Sequence, residues 1–399
     1  MLPSVSAADL RGAARLATEA AVGVARVAEG VHQAVWQTLG VPAVVPGHTR
    51  GLAGHVYAAV RGVTRLVGGS VERGLAQLPE TMQRAPDYAA WRAALNGVLG
   101  DHLAATGNPL ATPMALRLGR QTLCEAPAEA IPVEVGPFDV PATTRRVVLL
   151  VHGLCMDDRA WEATELSGPS HATALAALGY TPVAVRYNTG MPIAENGRSL
   201  AVLLSALHDR WPVPLDEIAV VAHSMGGLVA RSAVHHAEAT GEATGEGWRQ
   251  ALTRVVFLGT PHHGAPLERA GRWVDIALGA SRFSAPFAAI GSMRSAGITD
   301  LRHGRVTDGD TPPPLPSDVA CYAIAATLAG RRTALADHLV GDGLVPLRSA
   351  LGQHADPHRA LSFAPAHTHV AYGHDHFALL RDAAVTQRLV AWLAGPAAS

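Results

Sequence analysis

The stretch Glu217-Ile218-Ala219-Val220-Val221-Ala222-His223-Ser224-Met225-Gly226-Gly227 decides how the rest of the chain is read. Ile218 to Val221 is short, uncharged and partly β-branched, the pattern of a strand buried on both faces. Gly226-Gly227-Leu228-Val229-Ala230-Arg231 opens a helical pattern directly after it. Ser224 therefore stands on a tight strand-to-helix turn that lifts its hydroxyl above the end of a sheet. The backbone nearly folds onto itself at such a turn, so the residues two before and two after the serine must be small. Ala222 and Gly226 meet that demand, with alanine where glycine is more usual.

Strands and helices alternate on both sides of this turn. Upstream, Arg146 to Val151 reads as a buried strand, with His152-Gly153-Leu154 at its C-terminal end. Ser170 to Leu178 is helical, Thr181 to Arg186 a strand, and Glu195 to Trp211 helical again. Downstream come a helix over Leu228 to Ala239, a polar loop over Glu242 to Gly247, and strands at Arg254 to Leu258 and Val319 to Ala325. Gln387 to Leu393 ends the final helix. The alternation predicts an α/β fold, a mostly parallel sheet with helices on both faces. Met114 to Cys124 and Ile131 to Val135 read as antiparallel strands leading into it. Thr311 to Pro316, Thr-Pro-Pro-Pro-Leu-Pro, is a stiff connector. The chain has no internal repeat.

The first hundred residues are different. Leu10, Ala14, Ala17, Ala21, Val24, Val27, Val31 and Val35 recur at three-to-four spacing, which predicts one amphipathic helix ended by Gly40, Pro42 and Pro46. Val56, Ala59, Val60, Val63, Val67 and Val71 mark a second, and Tyr88 to Ala105 a third. Gly107, Asn108, Pro109 and Pro113 break the pattern and place a domain boundary there, giving an Ala-rich helical arm over 1–108 and a catalytic domain over 109–399. The plain expectation for the arm is packing on the catalytic part. The sharper one is peripheral contact with a lipid surface, favoured by the basic tint from Arg11, Arg15, Arg26, Arg50, Arg61, Arg65 and Arg73.

Bulk composition excludes several classes. The 399 residues are 48% hydrophobic and 16% charged, enough to bury a large core and too apolar for disorder. A net charge of −1 without a basic block argues against nucleic-acid binding. Cys124, Cys155 and Cys321 lie far apart, without metal spacing or an even-numbered disulfide set. The N-terminus, Met-Leu-Pro-Ser-Val-Ser-Ala-Ala-Asp-Leu-Arg, lacks a basic region before an apolar core, and no uncharged apolar run reaches the roughly 18 residues of a membrane span. A cytoplasmic setting is the expectation.

A serine hydroxyl is a weak nucleophile and needs a base that is itself oriented by an acid. The chain offers candidates in the order Ser224, Asp342, His376. Asp342 lies in Gly341-Asp342-Gly343-Leu344-Val345-Pro346, after the Val319 strand, where flanking glycines let a loop expose a carboxylate at the C-terminal edge of the sheet. Asp337 is its rival. His376 lies in Gly373-His374-Asp375-His376-Phe377, with His374 as rival. The tail also holds His354, His358, His367 and His369, but no cysteine or His-Glu-x-x-His pattern accompanies them, so no metal or organic cofactor is expected. An oxyanion needs preorganised N–H donors; the amides of Met225 and Leu154 are the candidates. Cys155 reads as lining.

The segments His152-Gly153-Leu154, Ala222-His223-Ser224-Met225-Gly226-Gly227, Gly259-Thr260-Pro261-His262-His263-Gly264, Asp342-Gly343-Leu344-Val345-Pro346 and His376-Phe377 resemble those of the lipase-like α/β hydrolases. They look closest to the GPI inositol-deacylase-like and triacylglycerol lipase branches. The resemblance covers about residues 110 to 399. It implies an α/β-hydrolase fold in which the Gly259 to Gly264 segment leads toward a cap over about 265–309, where Trp273, Ile276, Leu278, Phe283, Phe287, Ile290 and Met293 would suit an acyl chain. The implied activity is hydrolysis of carboxylic esters with apolar or lipid-like acyl groups through an acyl-enzyme. The alternatives are acyl transfer by the same residues, or a silent hydrolase fold that binds lipid or a partner. The resemblance does not extend to the first hundred or so residues.

Overall fold

A computed structural model describes residues 7–38, 51–75, 86–126, 137–140, 144–162, 170–240, 246–265, 295–309, 311–331 and 341–395. Contacts divide the chain into two units. One comprises Met1–Ala89 with Leu103–Ala111, the other Ala90–His102 with Thr112–Ser399.

The second unit is built on an eight-stranded sheet. Its strands are β1 (Ala115–Leu118), β2 (Gln121–Glu125), β3 (Arg146–Val151), β4 (Thr181–Arg186), β5 (Glu217–His223), β6 (Leu252–Leu258), β7 (Ala320–Thr327) and β8 (Thr368–Tyr372), in the order β2-β1-β4-β3-β5-β6-β7-β8. β3 to β8 run parallel; β1 is antiparallel to both its neighbours. This is the α/β-hydrolase fold expected from the resemblance. β5 lies inside the parallel array and is buried at all its residues, as its unbroken apolar run requires.

Two cores cover the two faces of the sheet. On one, Leu200, Leu203 and Leu207 of α5 (Ile193–Arg210), Leu228 and Val229 of α6 (Met225–Thr240) and Trp248 of α7 (Glu246–Ala251) pack on Val147, Leu149 and Val220. On the other, Leu175 of α4 (His171–Ala177) and Val385, Leu389 and Leu393 of the last helix (Ala383–Ala394) pack on Val148, Val221 and Val256. At the N-terminal ends of the strands, the buried Glu217 carboxylate accepts from Arg146 and from the Tyr180 and Thr253 hydroxyls, each at 2.8 Å, and pairs with Arg254. Fully bonded, that cluster closes the end of the sheet away from Ser224.

The sequence and the structure differ in three places here. Met114 to Cys124 is not one strand but the β1–β2 hairpin, turning at Gly119 and Arg120. β8 has no counterpart among the expected strands, and α7 begins inside the expected polar loop. Ile131 to Val135 lies outside the described residues.

α3 (Pro86–Ala105) crosses between the units, and its Ala90–His102 portion belongs with the sheet rather than with the arm. Packing explains why. A Cβ on Gly97 would fall 2.1 Å from Cys155 Sγ, and one on Gly100 would fall 1.8 Å from Asn188 Oδ1. Only glycines let the helix approach this closely.

In the first unit, α1 (Ala7–Thr38) and α2 (Gly51–Leu75) lie side by side, joined by a buried Arg61–Glu29 ion pair. The face of α1 that is buried carries Leu16, Val22, Ala25, Glu29 and Gln33. The apolar stripes read from periodicity point the other way. Val24, Val27 and Val31 of α1 and Val56, Val60 and Val63 of α2 are 47–69% exposed. Periodicity finds an apolar face but does not say what covers it.

Candidate active site

Ser224 is the residue between β5 and α6, with φ +56° in the left-handed region. A non-glycine residue held there is uncommon and must be fixed by its surroundings. Its amide donates to the Leu258 carbonyl at 2.8 Å, and its carbonyl accepts from Gly227 at 3.0 Å. The demand for small neighbours is met: a Cβ on Gly226 would lie 2.6 Å from the carbonyl oxygens of Val151 and His152. Ser224 is fully buried, and its Oγ has no hydrogen-bond partner among the described residues.

Asp342 and His376 come together from loops after β7 and β8. Asp342 Oδ2 is 2.5 Å from His376 Nδ1, and both side chains are 1% exposed. The other carboxylate oxygen accepts from the Leu344 and Val345 amides at 2.9 and 2.7 Å. The His376 amide in turn donates to the Asp342 carbonyl at 3.1 Å. The acid thus has each oxygen assigned, one to orienting the imidazole and one to its own loop. His376 lies close to the serine turn: its ring centroid is 4.6 Å from that of His223, the residue before Ser224. His223 Nε2 donates to the His376 carbonyl at 3.1 Å, and burial, with His376 adding to it, pushes the His223 pKa well below its ordinary value. A neutral His223 can sit under the site without adding a competing charge.

The rivals stand elsewhere. His374 Nε2 meets Asp382 Oδ2 at 2.9 Å near the surface, and its Nδ1 donates to the Tyr372 carbonyl at 2.6 Å. Asp337 lies outside the described residues. The other tail histidines are scattered: the His367 ring packs on Tyr322 and the His354 ring on His263. Among the described residues, no group of three or more His, Cys, Asp or Glu side chains is placed to hold a metal ion.

The Leu154 and Met225 amides flank the serine turn from β3 and α6. Neither donates to an acceptor among the described residues. Leu154 is held by features that no motif announces. Tyr187 donates its hydroxyl to the His152 carbonyl at 2.8 Å and stacks on the His152 ring at 4.4 Å. Thr189 Oγ1 accepts from the Cys155 amide at 3.1 Å, and Cys155 itself has φ +59°. Burial pushes the Cys155 thiol up to about 12, so it is protonated at neutral pH and serves as packing against α3.

The expected cap is described only at its ends. Trp273, Ile276, Leu278, Phe283, Phe287, Ile290 and Met293 lie outside the described residues. On their C-terminal side stands α8 (Ala296–His303), tied to α3 by Ser295 Oγ donating to the Gly97 carbonyl at 2.7 Å and by the Ala296 amide donating to Asp101 at 2.8 Å.

A family model described as "Domain of unknown function (DUF7379)" matches residues 126–296 of the chain. No curated protein matches it at a significant level. Among solved structures, the chain is similar to the mature lipase BlEst2 of Bacillus licheniformis, at 20% identity and TM-score 0.41, over 67% of this chain and 96% of that one. Lipase 1 from Pelosinus fermentans is 13% identical with TM-score 0.42, over 64% of this chain and 100% of that one. The RedJ thioesterase of the prodiginine biosynthetic pathway in Streptomyces coelicolor is 18% identical with TM-score 0.38, over 67% and 96%. No described helix is long and apolar enough to cross a membrane.

Proposed function

We propose that the chain is a serine hydrolase of carboxylic esters. The observation that carries this reading is the buried 2.5 Å contact between Asp342 and His376, beside a serine held at positive φ on a strand-to-helix turn. In this reading His376 takes the Ser224 proton as Oγ attacks the acyl carbon. Asp342 holds the imidazole in one tautomer and stabilises its charged form. The Leu154 and Met225 amides receive the oxyanion. Collapse of the tetrahedral intermediate expels the alcohol, which takes the proton back from His376. Water, activated by the same imidazole, then releases the acid. The chemistry needs no cofactor.

The substrate in this reading has an apolar acyl part and is met at a lipid surface. The outward valines of α1 and α2 support that. The exposed charged side chains described on these two helices are Arg26 and Arg65, both cationic, while Asp9 and Glu29 are buried and Glu19 faces Arg15. An outward apolar face with only positive charge described beside it suits an anionic lipid interface.

A panel of p-nitrophenyl esters of graded chain length tests the reaction, with an added alcohol to separate hydrolysis from acyl transfer. Turnover that requires Ser224 and rises with acyl length supports it; a native protein that hydrolyses none of the panel contradicts it. Val27→Glu with Val60→Glu tests the surface. The reading expects weaker binding to anionic vesicles and unchanged turnover of a short soluble ester. Vesicle binding equal to that of the native protein would remove the lipid surface from the account.

A further inference from the structure

A groove of about 580 Å³ opens where the segment after β6 meets the segment after β7. Both segments leave the sheet at the edge that carries Ser224, Asp342 and His376. The two are pinned together: the His263 amide donates to Ser349 Oγ at 3.1 Å, and Ser349 Oγ donates to the Gly264 carbonyl at 2.8 Å. The polar groups lining the groove are His263, Arg302, Ser349, Arg348, Gln353 and His354, and among the described residues no carboxylate joins them.

Arg302, in the last turn of α8, and Arg348, on the short helical turn after the Asp342 loop, form no ion pair among the described residues. The rings of His263 and His354 are 4.9 Å apart. Of the neighbouring carboxylates, Asp356 accepts from the His358 amide, and Asp300 accepts from the Ile193 amide and faces Arg305 at 3.9 Å; among the described residues neither pairs with Arg302 or Arg348. Concave walls that carry one sign of charge concentrate counter-ions. Guanidinium is the side chain best matched to phosphate oxygens. A phosphate also offers more acceptor oxygens than one guanidinium satisfies, which suits a groove holding two.

We propose that this groove binds a phosphate group, with Arg302 and Arg348 as its principal partners, and that the phosphate is carried on the alcohol part of the substrate. The second half rests on the ester-hydrolase reading; the first does not. In this arrangement the acyl carbon sits at Ser224 and the leaving alcohol extends toward the loops after β6 and β7.

The test has two arms, both on the full chain and on Arg302→Gln/Arg348→Gln. One compares a short-chain glycerol ester with the same ester of glycerol phosphate. The expected result is that the double variant loses about ten- to a hundredfold in kcat/KM on the phosphate ester, mainly through KM, and stays within about twofold on the neutral one. The other arm titrates inorganic phosphate and follows protein resonances by NMR. Saturable shifts in the native protein, absent in the double variant, support the groove even if neither ester turns over; in that event the hydrolase reading fails and the groove stands. Phosphate binding lost in the variant without any preference between the esters makes the ligand a free phosphate and overturns the substrate half. Equal phosphate binding and equal ester preference in the two proteins overturn the whole proposal.

Discussion

Asp342 meets His376 with each of its oxygens committed, and His374, two residues away, spends its ring on Asp382 and a carbonyl. For the base of the proposed reaction the sequence favours His376 over its rival His374, though both flank Asp375 in one loop. What separates them is Asp382, which caps the last helix through the Val385 amide and faces His374 with its other oxygen. His376→Ala is expected to lower kcat about a hundred- to ten-thousandfold, and His374→Ala to leave it within about twofold. Steady-state kinetics on a soluble ester checks this; comparable losses in the two variants would remove the distinction. The turn at Ser224 and Met225 is legible because a strand-to-helix bend imposes small neighbours, and the place of Leu154 because it follows the buried run of β3. Tyr187 and Thr189 are not, because a tyrosine and a threonine after a strand carry no pattern until their partners, the His152 carbonyl and the Cys155 amide, are in place.

Among the elements, the buried parallel strands are readable because burial on both faces leaves an unbroken apolar run. β8 is not. Thr368-His369-Val370-Ala371-Tyr372 is half-buried at the edge of the sheet and mixes polar with apolar side chains. α3 is legible as a helix but not as part of the unit that holds the sheet, because its burial rests on close approach by Gly97 and Gly100 rather than on a stripe of large apolar residues. Valine at Gly100 would collide with Asn188, whose side chain donates to the Gly100 carbonyl at 2.9 Å. Gly100→Val is therefore expected to cost about 1–3 kcal/mol or more, measured by urea unfolding, with activity falling as the Leu154 loop loses its backing. Unchanged stability would mean that α3 is not held against Asn188. A truncation removing residues 1–85, which spares this packing, is expected to keep hydrolysis of soluble esters and to weaken action on emulsified ones.

At the scale of the whole molecule, histidines make stability depend on pH. Burial lowers the pKa of His152, His171, His223 and His262, so each stays neutral when folded. In the unfolded chain they titrate near the ordinary value of about 6.5. Below that value the unfolded state takes up protons that the folded state refuses, so stability present above about pH 6.5 is lost as pH falls. The raised pKa of His374, set by the Tyr372 carbonyl and then Asp382, works in the opposite direction at the surface. Moving from about pH 7.5 to 5.5 is expected to remove at most about 1.4 kcal/mol for each of the four buried groups, and to lower Tm. A Tm that holds or rises over this interval would mean that these histidines accept protons in the folded protein. If Ser224 is a nucleophile activated within the fold, a fluorophosphonate probe reads it. Phosphonylation of the native protein on Ser224 is expected, and none in a folded Ser224→Ala variant. A native protein that takes no label, or a variant that takes it as well as the native protein, would contradict it.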